Sequence, residues 1–340
     1  MKKTYQCKGC GGHLLFDPES QSLKCEYCQS EVEIFASKKG YNIKHKYTQT
    51  LKFVASKDIG NVYQCLACNT KTSSANEQPI TRCPSCGNKN LKPIQETQLH
   101  PMNIIPFSVS KDKASLLYQK WIGSRKFAPN NLKKMARLQK VSGLYAPVYL
   151  FDLDATTHYS AQGITEYKRK DGSVKRSSTY INDVEHTEYL NYICSANHKL
   201  SSTIFRGMGG YDNAGIVPYS NEYLLGLSGV GTDFTVQQSY ADAIDEISYT
   251  EQSNIKSRLN LRYDDVDFFR ASTKISNVDC GYLYVPLWAN HYTYKNKDYH
   301  CYINGQTGKI HGKTPKSFWK IFGLVTGILA AIGVLVYLFA

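Results

Sequence analysis

Eight of the eleven cysteines fall into two copies of one spacing. Cys7-x2-Cys10 is followed by fourteen residues and Cys25-x2-Cys28; Cys65-x2-Cys68 is followed by fourteen residues and Cys83-x2-Cys86. A thiolate is a soft anionic donor, and four of them in paired knuckles close a tetrahedral Zn2+ site with no position left for water or substrate. The pattern predicts two structural Zn2+ ions. Equal spacing favours sequential sites, with ligands exchanged between the copies as the open alternative. Disulfides would need an oxidising compartment, and the N-terminus MKKTYQCKGC has lysines but no apolar stretch of the kind a secretory signal requires. Cys194, Cys280 and Cys301 are scattered singly and are expected as small buried hydrophobes.

Other groups were weighed for chemistry and set aside. Asp152 and Asp154 share one face of a strand and could form an acid/base pair, but Phe151, Leu153 and Ala155 alternate with them, the pattern of a half-solvated strand. His300 and Cys301 are adjacent, so on a strand they point to opposite faces and cannot form a dyad. His13, three residues after Cys10, could replace a ligand, but four cysteines already complete the tetrahedron. Gly312-Lys313-Thr314 ends like a phosphate-binding loop, but Thr307 occupies the position where that motif needs glycine.

The elements that must position the cysteines follow from turn and periodicity signals. His13–Phe16 and Leu23–Lys24 flank Asp-Pro-Glu-Ser, two short strands joined by a turn, and Gly11, Gly12 and Gly87 suit tight backbone after a thiolate. Residues 1–40 and 41–98 are expected as zinc ribbons. Residues 99–143 turn helical: Ala114, Leu117, Tyr118 and Trp121 recur with helical period behind Ser110 as N-cap, and a second helix is expected after Pro129. Residues 144–315 read as an α+β domain with antiparallel strands, a hairpin at Asp171-Gly172, a turn at Asn304-Gly305, and an amphipathic helix through Tyr240, Ile244, Ile247, Ile255 and Leu259 capped by Ser239. Tyr145–Asp152 and Tyr284–His291 resemble each other as strand motifs.

The formal charge of +13 is concentrated early: residues 1–98 hold 14 Lys and Arg against 8 Asp and Glu, and residues 99–143 hold 9 against 1. Such a block can meet nucleic acid, with Lys133, Lys134 and Arg137 as the candidate contacts, or the anionic leaflet of a membrane. Ile321–Ala340 carries no charge, enough for one membrane-crossing helix, and 318–340 is expected as a transmembrane tail anchor. Lys313, Lys316 and Lys320 precede it, which by the positive-inside rule puts residues 1–317 on the cytoplasmic side of the cell membrane.

The two ribbons, Tyr-Ala-Pro-Val-Tyr-Leu-Phe-Asp, Val-Pro-Leu-Trp, Tyr-His-Cys-Tyr-Ile-Asn-Gly-Gln-Thr-Gly-Lys and the terminal anchor together resemble bacterial tail-anchored membrane proteins containing a transcription-factor-IIB-type zinc ribbon. Some of these carry labels borrowed from the primosomal helicase, although this chain has no helicase motor motif. Tyr149 stands where a tryptophan is common in that motif. The resemblance implies zinc binding by the eight cysteines and membrane association through Ile321–Ala340, and it implies no reaction. The expectation is a membrane-anchored zinc-ribbon adaptor or recognition protein with a protein partner, no small-molecule substrate and no catalytic activity. The alternative is a nucleic-acid-binding protein that tethers DNA or RNA to the membrane.

Overall fold

The structure, a computed structural model, describes residues 5–34, 44–47, 53–55, 61–74, 80–95, 99–135 and 141–339. The chain is α+β. The first quartet sits on a small antiparallel sheet, β1 (Leu14–Asp17), β2 (Ser22–Cys25) and β3 (Glu31–Val32). Asp17 shapes the β1–β2 turn by accepting from the Ser20 hydroxyl at 2.9 Å. Alternation then buries Leu14 and Phe16, and they enter the same core as Tyr223 and Trp288 of the body. After the short strands β4 (His45–Lys46) and β5 (Phe53–Ala55), the second quartet is carried by β6 (Val62–Cys65), β7 (Lys71–Ser74) and β8 (Leu91–Ile94).

The remaining strands are β9 (Leu99–Pro101), β10 (Asn103–Ile104), β11 (Ser142–Lys168), β12 (Val174–Ser195), β13 (Val217–Pro218), β14 (Ser228–Val230), β15 (Asp265–Tyr294), β16 (Lys297–Asn304) and β17 (Ile310–Gly312). The helices are α1 (Lys111–Ser124), α2 (Asn130–Met135), α3 (Ser202–Gly207), α4 (Val236–Arg262) and α5 (Phe318–Phe339). The second ribbon belongs to a mixed twelve-stranded sheet, because β7 pairs with β14 and β14 with β11. One short stretch of chain therefore carries both ribbons: Phe16 donates to the Leu225 carbonyl and meets Tyr223 edge-on at 5.3 Å, while Thr72 pairs with Val230.

Three strands are far longer than the usual five or six residues. β11 runs between β12 and β15 for nearly all its length, and the 30 residues of β15 span roughly 100 Å at about 3.3 Å per residue. Beyond Phe151 the three strands form an arm. Its inner face buries Phe151, Leu153, Ala155 and Ala161 beneath α4. The helix is fastened by polar contacts to β12: buried Glu251 accepts from the Thr187 hydroxyl at 3.0 Å and the Tyr189 hydroxyl at 2.5 Å, and Arg258 forks onto Glu185. The arm ends in the Asp171-Gly172 hairpin, where the Asp171 carboxylate accepts from the Ser173 hydroxyl at 2.7 Å and Gly172 has φ +83°. The two similar strand motifs lie side by side in antiparallel register, Tyr145 opposite Pro286 and Pro147 opposite Tyr284.

Helix ends show where local chemistry decides. Ser110 caps α1 by accepting from the Lys113 amide, as its sequence predicts. The cap of α4 differs: Thr235 with Gln238 forms a capping box four residues before Ser239, and Ser239 is a buried helical residue whose hydroxyl donates to the Ser195 carbonyl at 3.1 Å. α5 has no buried residue, so it is not a core helix; it is long and apolar enough to cross a membrane.

Candidate metal centres

Each quartet is gathered from its own ribbon. Cys7, Cys10, Cys25 and Cys28 form one group and Cys65, Cys68, Cys83 and Cys86 the other, all sulfurs within 4.8 Å of one another in each, which decides for sequential sites. The nearest pairs are Cys10–Cys25 at 3.4 Å, Cys7–Cys28 at 3.5 Å, and Cys65–Cys86 and Cys68–Cys83 at 3.7 Å. These separations are far from a disulfide bond. They match the edge of a tetrahedron, roughly 3.8 Å, set by a Zn–S distance of about 2.3 Å. The residues therefore fit a four-coordinate thiolate metal ion.

All four knuckles share one backbone design. The amide after the second cysteine returns to the carbonyl of the first: Gly11 to Cys7, Gln29 to Cys25, Asn69 to Cys65 and Gly87 to Cys83, at 2.8 to 3.2 Å. Each donating residue has positive φ, between +58° and +76°, which glycine adopts freely and asparagine tolerates. The turn aims both thiols of a knuckle at a common point. In two knuckles a hydroxyl lies against the ligand sulfurs: Ser30 is 3.1 Å from both Cys7 and Cys28, and Thr70 Oγ1 accepts from the Cys68 thiol at 3.3 Å. Their signal was readable, since Cys28-x-Ser30 and Cys68-x-Thr70 are the same local pattern.

The thiols are electrostatically unequal. Ser30 and the backbone amides hold Cys7 down at about 6, whereas Cys10, despite the Gly12 amide, is pushed up to about 12 by the Cys25 and Cys28 thiols. In the second group Cys83 and Thr70 hold Cys68 down at about 4, and burial pushes Cys86 up to about 11. Crowded sulfurs resist ionising together unless a cation lies among them.

Two histidines to which the sequence reading gives no role tie the second site to the body. His198 donates from Nε2 to the Cys68 carbonyl at 3.0 Å and pairs through Nδ1 with Asp233. His291 donates from Nε2 to the Pro84 carbonyl at 2.9 Å, and its Nδ1 then accepts from Nδ1 of His300 at 2.6 Å. Nothing local in the sequence marks either residue, because each is more than 100 positions from the knuckle it holds.

The groups set aside occupy structural positions. Asp152 pairs with Lys44 at 2.5 Å and accepts from the Asn191 amide, and Asp154 accepts from Asn277 at 2.6 Å. His300 and Cys301 point to opposite faces, the thiol fully buried. Cys194 and Cys280 are buried as well, and His13 forms a β-bridge with Gln6 while its carbonyl accepts from the Glu26 amide at 3.3 Å. No helix begins directly after Gly312. Of the nucleic-acid candidates, Lys133 and Lys134 fall in α2 with side chains outside the described residues, and Arg137 lies outside them altogether.

Fold and site thus define an α+β protein that has, among the described residues, two four-cysteine clusters compatible with structural metal and one candidate membrane-spanning helix, Phe318–Phe339. The chain is similar to the uncharacterised protein YdjG of Bacillus subtilis strain 168, 26% identical over 334 residues that cover 96% of this chain and 94% of that one. No family model matches the sequence, and no solved structure matches it.

Proposed function

We propose that this chain is a non-catalytic recognition protein, held on the cytoplasmic face of the cell membrane by α5 as a tail anchor, whose two zinc ions stiffen the surface that meets a protein partner. The observation that carries the reading is the pair of exposed apolar side chains on the knuckles. Tyr27, between Cys25 and Cys28, is 74% exposed, and Leu66, between Cys65 and Cys68, is 63% exposed. A four-thiolate site has no open position for substrate, so zinc would act by fixing these side chains in place. Rigid apolar anchors in a polar surround are what a protein interface uses. A photoreactive phenylalanine analogue in place of Tyr27 or Leu66, activated in intact cells, should yield a discrete protein adduct; an absence of adducts from both positions would contradict the proposal.

A nucleic-acid tether is the second reading, and one feature favours it. The arm tip carries Lys168, Arg169, Lys170, Lys175 and Arg176 on an exposed hairpin, with Tyr167 and Tyr180 exposed beside it. Cations with flanking aromatic faces suit a phosphate backbone and its bases. Nuclease-sensitive adducts, and binding that falls steeply with salt and with charge reversal at these positions or at Lys133, Lys134 and Arg137, would select this reading over the first.

A further inference from the structure

We propose that the body carries a second membrane contact, a cationic face beside α5 that rests on the anionic phospholipid headgroups of the bilayer. The proposal rests on α5 entering the bilayer. The body is fastened to the first turn of that helix rather than hanging from it. The Ser317 amide donates to the Phe127 carbonyl at 2.8 Å, and Lys320 Nζ donates at 2.8 Å to both the Ala128 carbonyl and Asn130 Oδ1. Lys320 is the last charge before the apolar run, so its partners lie at headgroup depth. The loop joining α1 to α2 is thereby placed at the water–lipid boundary, with Arg125, Lys126 and Phe127 exposed.

A second loop reaches the same level. Tyr294 donates to Asn131 Oδ1 at 3.1 Å, which brings the β15–β16 turn alongside, and its Lys295 and Lys297 are exposed. With Lys316 and Lys320 the face gathers six cations, and Asp298 is the one acid in these two loops and the α5 approach. Phe318 and Trp319, 70% and 77% exposed, continue the boundary onto the helix. Cations at this density beside an anchored helix complement a sheet of lipid phosphates. Because β15 ends here and begins at the arm tip, the contact would fix the direction in which the arm leaves the membrane.

The test is lysine footprinting of the full chain with a small uncharged acylating ester, read by mass spectrometry. It compares nanodiscs containing phosphatidylglycerol, nanodiscs of phosphatidylcholine alone, and detergent. Lys126, Lys295 and Lys297 should react about fivefold more slowly in the anionic discs than in the zwitterionic ones and recover in high salt, while Lys168, Lys170 and Lys175 at the arm tip react alike throughout. Equal reactivity in the two discs would overturn the proposal. Protection already present in detergent would mean that a second copy covers the face, and would overturn it as well. Failure of the chain to enter discs would remove the anchor reading and this proposal with it. Lys295→Gln with Lys297→Gln, both on an exposed turn, should abolish the protection at Lys126 only if the lysines act together on the lipid surface; unchanged protection there would count against them.

Discussion

His291, on the longest strand, donates a hydrogen bond to the carbonyl of Pro84, inside the last metal knuckle. The imidazole is packed against that knuckle as well: a Cβ added at Gly87 would lie 2.8 Å from His291 Cβ. His291→Phe keeps the ring and removes the donor, leaving a carbonyl unpaired at a cost of about 1–3 kcal/mol. Amide exchange across Cys83–Asn88 should accelerate while the metal stays bound. Unchanged exchange would show that the ribbon is held by its strand pairing alone.

Metal removal should loosen more than the ribbons. Both dock on Tyr223–Val230, one through Phe16 and the other through the β7–β14 pairing, so chelation should raise exchange in residues 221–231 as well as around the eight cysteines, while α4 and the arm remain protected. If residues 221–231 keep their protection, the ribbons are autonomous units and the shared core is not an energetic coupling.

Glu251 is the acid on which α4 is fastened to the arm. Only 3% exposed, it accepts from Thr187 and Tyr189, and Glu251→Ala strands both hydroxyls over a cavity. The expected loss is roughly 2–4 kcal/mol, seen in denaturant unfolding followed by helical signal. Glu251→Gln, which keeps an acceptor, should lose less; equal losses would argue for packing over hydrogen bonding.

Acid should weaken the body through His100. This histidine is fully buried and lies 2.9 Å from the Tyr284 hydroxyl, which itself donates to the Val230 carbonyl. Burial holds its pKa down at about 4, against 6.5 for a free imidazole. Between those values the unfolded chain binds a proton that the folded chain refuses, so stability is full above pH 6.5 and falls as pH drops toward 4. The loss is on the order of 3 kcal/mol. Melting profiles of wild type and His100→Phe should diverge only in that window, and parallel profiles would contradict the assignment.

What the sequence disclosed was local. The cysteine spacing, the Ser110 cap, the Asp171-Gly172 hairpin and the alternation around Asp152 each depend on residues a few positions apart, and each appears in the structure as read. The α4 boundary slipped because Ser239 and Thr235 are both good cap residues, and the Gln238 side chain that completes the box around Thr235 decides between them. The length of β12 and β15 was hidden because Asn191 in the first and Phe268 and Asn277 in the second, with positive φ, interrupt the two-residue alternation that marks a strand. His198, His291 and Lys320 act on distant backbone carbonyls, and a carbonyl carries no sequence signal.

The most direct test is elemental analysis of the full-length chain extracted from membranes without reductant or added metal, paired with a count of free thiols before and after chelation. Two zinc equivalents per chain are expected, with the eight ligand thiols unreactive until the metal is stripped. Fewer than two equivalents, or ligand cysteines joined to one another as disulfides in the native chain, would contradict the assignment of two structural zinc sites.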